Sequence, residues 1–382
     1  MLTFIRPVGE PVKLTSTTTI EEYSGFDSSY LQSGTQALQL ALTYAKKKCQ
    51  SDAPEVILPA YACPDLISAC VGANVKPILV DLAPDMPFPN TEDILALSNE
   101  HTVGVVLVNF LGISPPKSLF NSLRDAKLLI IEDRAQSFVS LPMEHSLQGD
   151  MIIFSFGKGK PVSLLGGGAL LVSQKLSLDS DLVISNNLTR LETNSVPWSV
   201  RLKATAYNLI IRRFIYYWLL KMPGLKVGAT KYKEPKAIER LGTVKVSLLG
   251  DNILTQHKQN IEAEKRLEEI VSNINASYLT KVEEGKRLLR YPILMNNKVS
   301  RDHLINLLTA NGIGASSMYN APLTKIKSIP LSREQIDMGF PNANSFAERL
   351  LTLPCHSDVN KKALSKIQAV FKEFIQSHPE LP

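Results

Sequence analysis

Two lysines lie among glycines after an apolar run in the middle of the chain, where residues 154–168 read FSFGKGKPVSLLGGG. The buried end of a strand is an unfavourable place for a cation unless the site uses it. Lys160 could reach back over the strand end, where a desolvated lysine amine becomes a nucleophile. Ser155 could add a hydroxyl to an anion site beside it. A solvated loop lysine is the alternative interpretation.

A carboxylate stands at the end of a second aliphatic run, LLIIEDRAQSF, at residues 128–138. Without a partner, Asp133 would tend to take up a proton there, whereas a cationic ligand nitrogen would keep it ionised. Gln136 lies three residues further on and could reach the same ligand. The alternatives for Asp133 are a cap on the next helix or an ion pair with Arg134.

A small polar triplet, Ser33, Gly34 and Thr35, comes immediately before the helical pattern QALQLAL. Ser and Thr are good helix caps, and a glycine lets a backbone amide approach a ligand closely. A helix N-terminus with hydroxyl groups is suited to an anion, most simply a phosphate. A plain helix cap is the alternative.

Together these groups predict one ligand, with a phosphate, a ring nitrogen that needs a carboxylate, and a carbonyl that condenses with a lysine. Pyridoxal phosphate has all three features. A phosphate-loop NTPase does not fit, because Pro161 follows the Gly-Lys pair where that motif needs Ser or Thr. The glycines at 166–168 do not form a GxGxxG motif either.

The elements that must position these residues follow an α/β pattern. Several of the candidate strands are continuously apolar, which is typical of strands buried on both faces of a mostly parallel sheet covered by helices. After residue 250 we expect a long charged helix over 255–274, a strand at 290–295 and two further helices. We therefore predict a large α/β domain at 1–250 and a smaller α+β domain at 251–382. The predicted strands of the large domain are 56–60, 77–83, 103–110, 128–135, 151–156 and 168–173.

At these residues the chain resembles the DegT/DnrJ/EryC1/StrS aminotransferases, pyridoxal-phosphate enzymes of the type I aspartate aminotransferase fold. SGTQAL is similar to the phosphate loop of that family, and IIEDRAQSF is similar to its EDxAQ strand end. GDMIIFSFGKGK is similar to its GD…FSFxxxK motif, which selects Lys160 and not Lys158. Two later segments, GIGASSMYNAPL and AERLLTLPCHSDV, also resemble the family.

The resemblance implies an activity and its participants. Lys160 would hold the cofactor covalently and move protons, and Asp133 would keep the pyridine ring protonated. The amino donor would be glutamate and the acceptor a nucleotide-linked keto sugar, in polysaccharide or secondary-metabolite biosynthesis. The family also implies a homodimer. A sugar dehydratase of the same superfamily is an alternative, although that branch usually has histidine in place of the lysine. A non-catalytic assembly protein that retains the fold is another.

Three departures from the family pattern concern the cofactor's surroundings. The family usually places an aromatic residue over the cofactor ring, where LPAYACPD offers Cys63, with Tyr61 two residues earlier. The acidic residue before the final glycines is missing from LLGGG. The GYNxR segment, which reaches a neighbouring subunit's phosphate, is replaced by residues 228–242.

Composition and charge exclude other classes of protein. The net charge of +6 comes without a Lys/Arg block, so no nucleic-acid partner is expected. Four cysteines form no CxxC pair, which argues against a metal site and favours a reducing compartment. The N-terminus shows no signal-peptide pattern, and we expect a cytoplasmic protein. The apolar segment 203–225 is interrupted by Arg212 and Arg213; we expect a helix packed on the protein or a second subunit, with a membrane surface as the alternative.

Overall fold

The computed structural model describes residues 4–18, 23–137, 147–176, 196–222, 230–257, 262–272, 277–278 and 287–377. Its elements, in chain order, are β1 (Phe26–Leu31), α1 (Gly34–Cys49), β2 (Glu55–Pro59), α2 (Asp65–Ala73), β3 (Lys76–Val80), α3 (Thr91–Leu97), β4 (Thr102–Val108), α4 (Lys117–Asp125), β5 (Ile130–Asp133), β6 (Met151–Ser155), β7 (Gly168–Ser173), α5 (Trp198–Ile210), α6 (Arg213–Lys221), α7 (Thr243–Ser247), α8 (Leu249–His257), α9 (Glu262–Val271), β8 (Ser277–Tyr278), β9 (Tyr291–Leu294), α10 (Lys298–Ala310), α11 (Arg333–Asp337), α12 (Pro341–Arg349), β10 (Leu350–Leu353) and α13 (Lys361–Ser377).

A seven-stranded sheet forms the centre of the protein, in the order β1-β7-β6-β5-β4-β2-β3. The strands from β6 to β3 are parallel, and β7 at one side pairs antiparallel with both β6 and β1, so β1 runs in the same direction as the parallel strands. The predicted α/β class and mostly parallel sheet are confirmed. All six predicted strands are present, most of them shorter by one to several residues. Strand β1 was missed because FDSSYL is too polar to stand out as a buried strand.

Helix α1 packs tightly on this sheet. Ala37, Ala41 and Ala45 follow one another at four-residue spacing and are all fully buried. Small side chains at this spacing line one face of a helix, so its backbone can approach the strands closely. Ser33 caps the helix by accepting a hydrogen bond from the Gln36 N–H at 3.2 Å. The predicted helix start is therefore held at a fixed position over the sheet.

A second, three-stranded antiparallel sheet has the order β10-β9-β8 and packs with α9, α10 and α13 around its own hydrophobic core. The N-terminal segment joins this core through Ile5, while Tyr319 and Phe346 pack into the core of the central sheet. The predicted helix over 255–274 is represented by α8 and α9, and residues 258–261 between them lie outside the described part. The division at residue 250 stays a prediction.

The predicted helix at 203–225 is two helices, α5 and α6, separated by Ile211 and Arg212. Ile211 is buried, and its carbonyl accepts a hydrogen bond from the Arg6 guanidinium at 3.1 Å. Residues 223–229 lie outside the described part of the chain. Among the residues that the structure describes, no helix is both long and apolar enough to span a bilayer.

The late family-like motif has a structural role at His356. Its Nε2–H donates to the Arg6 carbonyl at 2.8 Å, and its Nδ1 lies 3.3 Å from the Asp358 N–H. Burial lowers the pKa of His356, and this donor–acceptor pattern is that of the neutral imidazole. The motif therefore fastens the N-terminal segment to the second core.

Candidate active site

Three strand ends and one helix start meet at a single edge of the central sheet. Strands β1 and β6 both pair antiparallel with β7, so their carboxyl ends lie at the same edge, with Leu31 and Ser155 each opposite Gly168. Strand β5 is parallel to β6 and ends there at Asp133. Ligands of open α/β sheets bind at this edge, where the chain leaves the strands.

Gly34 brings the start of α1 against Ser155. A Cβ atom at Gly34 would lie 2.8 Å from the Ser155 Cβ and 3.2 Å from its Oγ. No side chain fits into this contact without a displacement, so the absence of a Cβ sets the approach of the helix. Ser33, Gly34, Thr35 and Ser155 consequently surround one helix N-terminus, where backbone N–H groups favour an anion.

A methyl group at Gly34 should weaken cofactor binding. Gly34→Ala must push the helix start away from Ser155, and overpacking of this kind costs about 1–3 kcal/mol. Because the phosphate site is formed by this helix start, the dissociation constant for pyridoxal phosphate should rise about tenfold or more. A titration followed by absorbance measures it. Gly242→Ala is the matched control, because the added Cβ there would meet no atom within 4 Å. Equal affinities of both variants would contradict this geometry.

Lys160, and not Lys158, turns toward this edge. Lys158 is exposed, whereas Lys160 is half-buried. Gly159 takes the left-handed backbone conformation with φ +72°, and the Lys160 N–H donates to the Gly157 carbonyl at 3.3 Å, which closes a tight turn. A Cβ placed at Gly157 would lie 3.7 Å from the Lys160 Cγ and 3.6 Å from the Ser155 Oγ. The lysine side chain therefore starts beside the anion site.

Asp133 is a buried carboxyl group, 7% exposed, whose Oδ1 accepts the Ala135 N–H at 2.9 Å. Burial raises its pKa, and the nearby Lys160 charge acts in the opposite direction. Arg134, the alternative partner of Asp133, forms an ion pair with the carboxylate of Glu132 at 3.2 Å. A cation at the strand end would stabilise the charged form of Asp133.

Gln136 and Tyr319 link the strand end to the C-terminal half of the chain. The Gln136 side chain accepts from the Leu111 N–H at 3.0 Å and donates to the Tyr319 hydroxyl at 2.9 Å. That hydroxyl also neighbours the Cys63 thiol, and burial raises the pKa of Tyr319 far above its usual value. Tyr319 was missed as a site residue, although its segment GIGASSMYNAPL carried part of the family resemblance.

Cys63 and Tyr61 have different surroundings. Cys63 is half-buried and lies within electrostatic range of Lys160 and Asp133. Burial raises the pKa of its thiol to about 11. Cys63 is therefore a neutral thiol at pH 7.

Tyr61 is buried among Phe110, Tyr319 and Phe346, and its hydroxyl donates to the Tyr319 carbonyl at 2.9 Å. Tyr61 thus packs into an aromatic cluster, and its role at the cofactor stays a prediction.

The segment that replaces GYNxR lies beside the helix start of its own chain. Residues 237–241 pair with the end of β1: the Gln32 N–H donates to the Glu239 carbonyl, and the Leu241 N–H donates to the Tyr30 carbonyl. The Gln36 side chain donates to the Ala237 carbonyl at 2.7 Å. This segment therefore shapes the rim of the candidate anion site.

These residues fit pyridoxal phosphate. The close approach of the helix start suits a phosphate, and the buried Asp133 suits a protonated ring nitrogen. The Lys160 side chain starts near Ser155, and its charge acts on Asp133. The helix start and both charged side chains belong to one sheet edge, so one ligand can contact all three.

The comparisons with known proteins point to the same cofactor. The sequence matches the DegT/DnrJ/EryC1/StrS aminotransferase family over residues 19–188 and 242–372, and this family consists of pyridoxal-phosphate-dependent aminotransferases. Residues 189–241, which include α5 and α6, lie between the two matched ranges. No curated protein matches the chain.

Solved structures with similar folds include three with sequence identities of 20% or less. A DegT DnrJ EryC1 StrS aminotransferase from Brucella abortus has a TM-score of 0.62 and 20% identity, over 91% of this chain and 85% of its own. Helicobacter pylori PseC, an aminotransferase involved in the biosynthesis of pseudoaminic acid, has 0.62 and 16%, over 96% and 100%. The sugar aminotransferase CalS13 from Micromonospora echinospora has 0.62 and 14%, over 95% and 99%.

Proposed function

Because the chain belongs to the DegT/DnrJ/EryC1/StrS aminotransferase family, we propose that it transfers an amino group from glutamate to a nucleotide-linked keto sugar. The aminated sugar would enter polysaccharide or secondary-metabolite biosynthesis. We further propose a cytoplasmic homodimer. The general activity rests on the family, and the choice of donor and acceptor is the proposal.

The main support for this function is that three groups meet at one edge of the central sheet. They are Lys160, Asp133 and the candidate anion site at the start of α1. When bound, pyridoxal phosphate supplies an aldehyde that condenses with amines and a ring that accepts electrons. Asp133 holds a proton at the ring nitrogen by its negative charge. The helix start fixes the phosphate, and the Lys160 amine carries a proton to and from the reacting carbon.

Two observations support a sugar acceptor. A surplus of basic residues, with a net charge of +6, suits an acceptor that carries phosphate groups. Structural neighbours with the same fold include one named as a sugar aminotransferase and one named for pseudoaminic acid biosynthesis.

Isotope transfer tests this proposal. The purified protein, loaded with pyridoxal phosphate, is mixed with ¹⁵N-labelled glutamate and a panel of nucleoside-diphosphate keto sugars. We expect one member of the panel to gain ¹⁵N, as detected by mass spectrometry, with one equivalent of 2-oxoglutarate formed. Release of 2-oxoglutarate without amination of any panel member would support the donor and reject these acceptors. If no 2-oxoglutarate formed from glutamate, the proposed function would be rejected.

A further inference from the structure

Helix α5 has apolar residues on two opposite faces. Ala204 and, directly after the last residue of the helix, Ile211 are buried against the protein. Trp198, Leu202 and Leu209 follow the i, i+4, i+11 spacing of another face and are exposed, with Trp198 77% exposed. A helix that only covers the core needs one apolar stripe, so the second stripe is unexplained by the folding of this chain.

Helix α6 continues the pattern. Phe214, Ile215 and Trp218 lie on one face by their spacing, and all three are exposed, with Trp218 51% exposed. Met222, directly after the helix, is also exposed. The rings of Phe214 and Trp218 contact each other edge to face, with centroids 6.4 Å apart. Large exposed apolar clusters of this kind mark interaction surfaces.

The inner side of the helix pair is fixed to the N-terminal segment. The Asn208 side chain accepts the Val12 N–H at 2.8 Å and donates to the Val12 carbonyl at 2.9 Å. Phe4 stacks on Tyr216, and the Phe4 N–H donates to the Arg213 carbonyl at 3.1 Å. The exposed stripes therefore belong to anchored helices and not to a loose tail.

The charged residues of the helix pair are all basic. Residues 198–222 contain five Lys or Arg and no Asp or Glu, although the whole chain has 42 basic and 36 acidic residues. Arg201, Lys203, Arg212 and Lys221 are exposed beside the apolar stripes. Amphipathic helices with aromatic and aliphatic residues flanked by cations bind at the interface of anionic membranes.

We infer that α5 and α6 bind the surface of an anionic membrane, with the two apolar stripes in the headgroup region and the cations on lipid phosphates. Neither helix is long and apolar enough to span a bilayer, so the contact is interfacial. Two copies packed through this face would bring cations together without a carboxylate from 198–222, which disfavours a second copy as the occupant. The inference does not depend on the proposed acceptor, because binding is measured without turnover.

The tryptophans give a direct measurement. The chain has two, Trp198 and Trp218, and both lie on this surface. With vesicles of 70% phosphatidylcholine and 30% phosphatidylglycerol, we expect a blue shift of tryptophan emission and co-sedimentation of the holoenzyme. Pure phosphatidylcholine vesicles should bind at least about tenfold less, and 0.5 M salt should weaken binding to the anionic vesicles.

Two variants with matched controls identify the surface. The double variant F214S/W218S and the charge reversal R212E/K221E should each lower vesicle partitioning about tenfold or more. The controls are V299S, at a valine 78% exposed on α10, and K361E/K362E, at exposed lysines of α13; both should bind like the wild type. Retention of the cofactor absorbance shows that each variant is folded.

Three results would overturn the inference. The first is that the wild type does not bind vesicles, and the second is that the variants bind vesicles as well as the controls do. The third is that the wild type is a dimer, that F214S/W218S converts it to a monomer, and that vesicles do not change the tryptophan emission. The last result would assign the surface to a second copy of the chain. It would leave the proposed transamination intact, because amination of the sugar is assayed separately.

Discussion

Replacement of Lys160 by alanine should abolish transamination. The Lys160 side chain starts beside Ser155, and its charge acts on Asp133, so its amine is placed to bind the cofactor and carry a proton. Loss of a positioned acid–base group alone lowers a rate by about 10²–10⁴-fold, and loss of the covalent attachment adds to this. The visible absorbance of the lysine-bound cofactor should disappear as well. Single-turnover kinetics with glutamate and an absorbance spectrum measure the two effects.

Lys158→Ala is the control for this experiment. Lys158 is two residues away but exposed, so its removal should leave both the spectrum and the rate close to those of the wild type. If Lys158→Ala lost the absorbance and Lys160→Ala kept it, the turn at Gly159 would have been assigned to the wrong lysine. Activity that survived both replacements would reject the site.

Asp133→Asn should lower the rate of transamination about 10²-fold or more, on the scale of a lost electrostatic stabiliser. Asparagine keeps an oxygen that can accept the Ala135 N–H but has no negative charge, so the ring nitrogen would lose its proton. Asp133→Glu should recover part of the rate, because it keeps the charge. Rates for the glutamate half-reaction, compared at saturating cofactor, separate this effect from weaker binding.

The stability of the cofactor-free protein distinguishes this loss from misfolding. Burial raises the pKa of Asp133, so the folded wild type holds a proton to higher pH than the unfolded chain does. Its stability therefore falls as the pH rises from about 3.9 through the folded-state pKa. Asp133→Asn lacks this loss and should be at least as stable as the wild type at pH 7. A thermal transition well below that of the wild type would show that the lost activity reflects damage to the fold.

The sequence predicted the strands and the helix start because these are encoded locally. Buried parallel strands need continuous apolar runs such as MIIFS, and a helix start needs a cap such as Ser33. Parallel strands also end at one edge, so the sequence alone predicts that Asp133 and Ser155 meet there. The spacing of the family-like motif likewise selected Lys160 over Lys158, and the structure leaves Lys158 in solvent.

Contacts between distant segments could not be predicted in the same way. Tyr319 reaches Gln136 from 183 residues away, and Tyr61 is drawn into a cluster with Phe110 and Phe346, which its neighbours in sequence do not indicate. Strand β1 is polar and is a strand because β7 offers it a free edge.

The sequence by itself therefore determined the fold class, the strand ends and the chemical groups of the candidate site, since apolar periodicity, caps and motif spacing act over a few residues. Tertiary structure decided which side chains close that site and which faces of α5 and α6 stay in solvent. The reason is that both depend on packing between segments far apart in the chain, where burial and close approach select one arrangement from many that the local sequence allows.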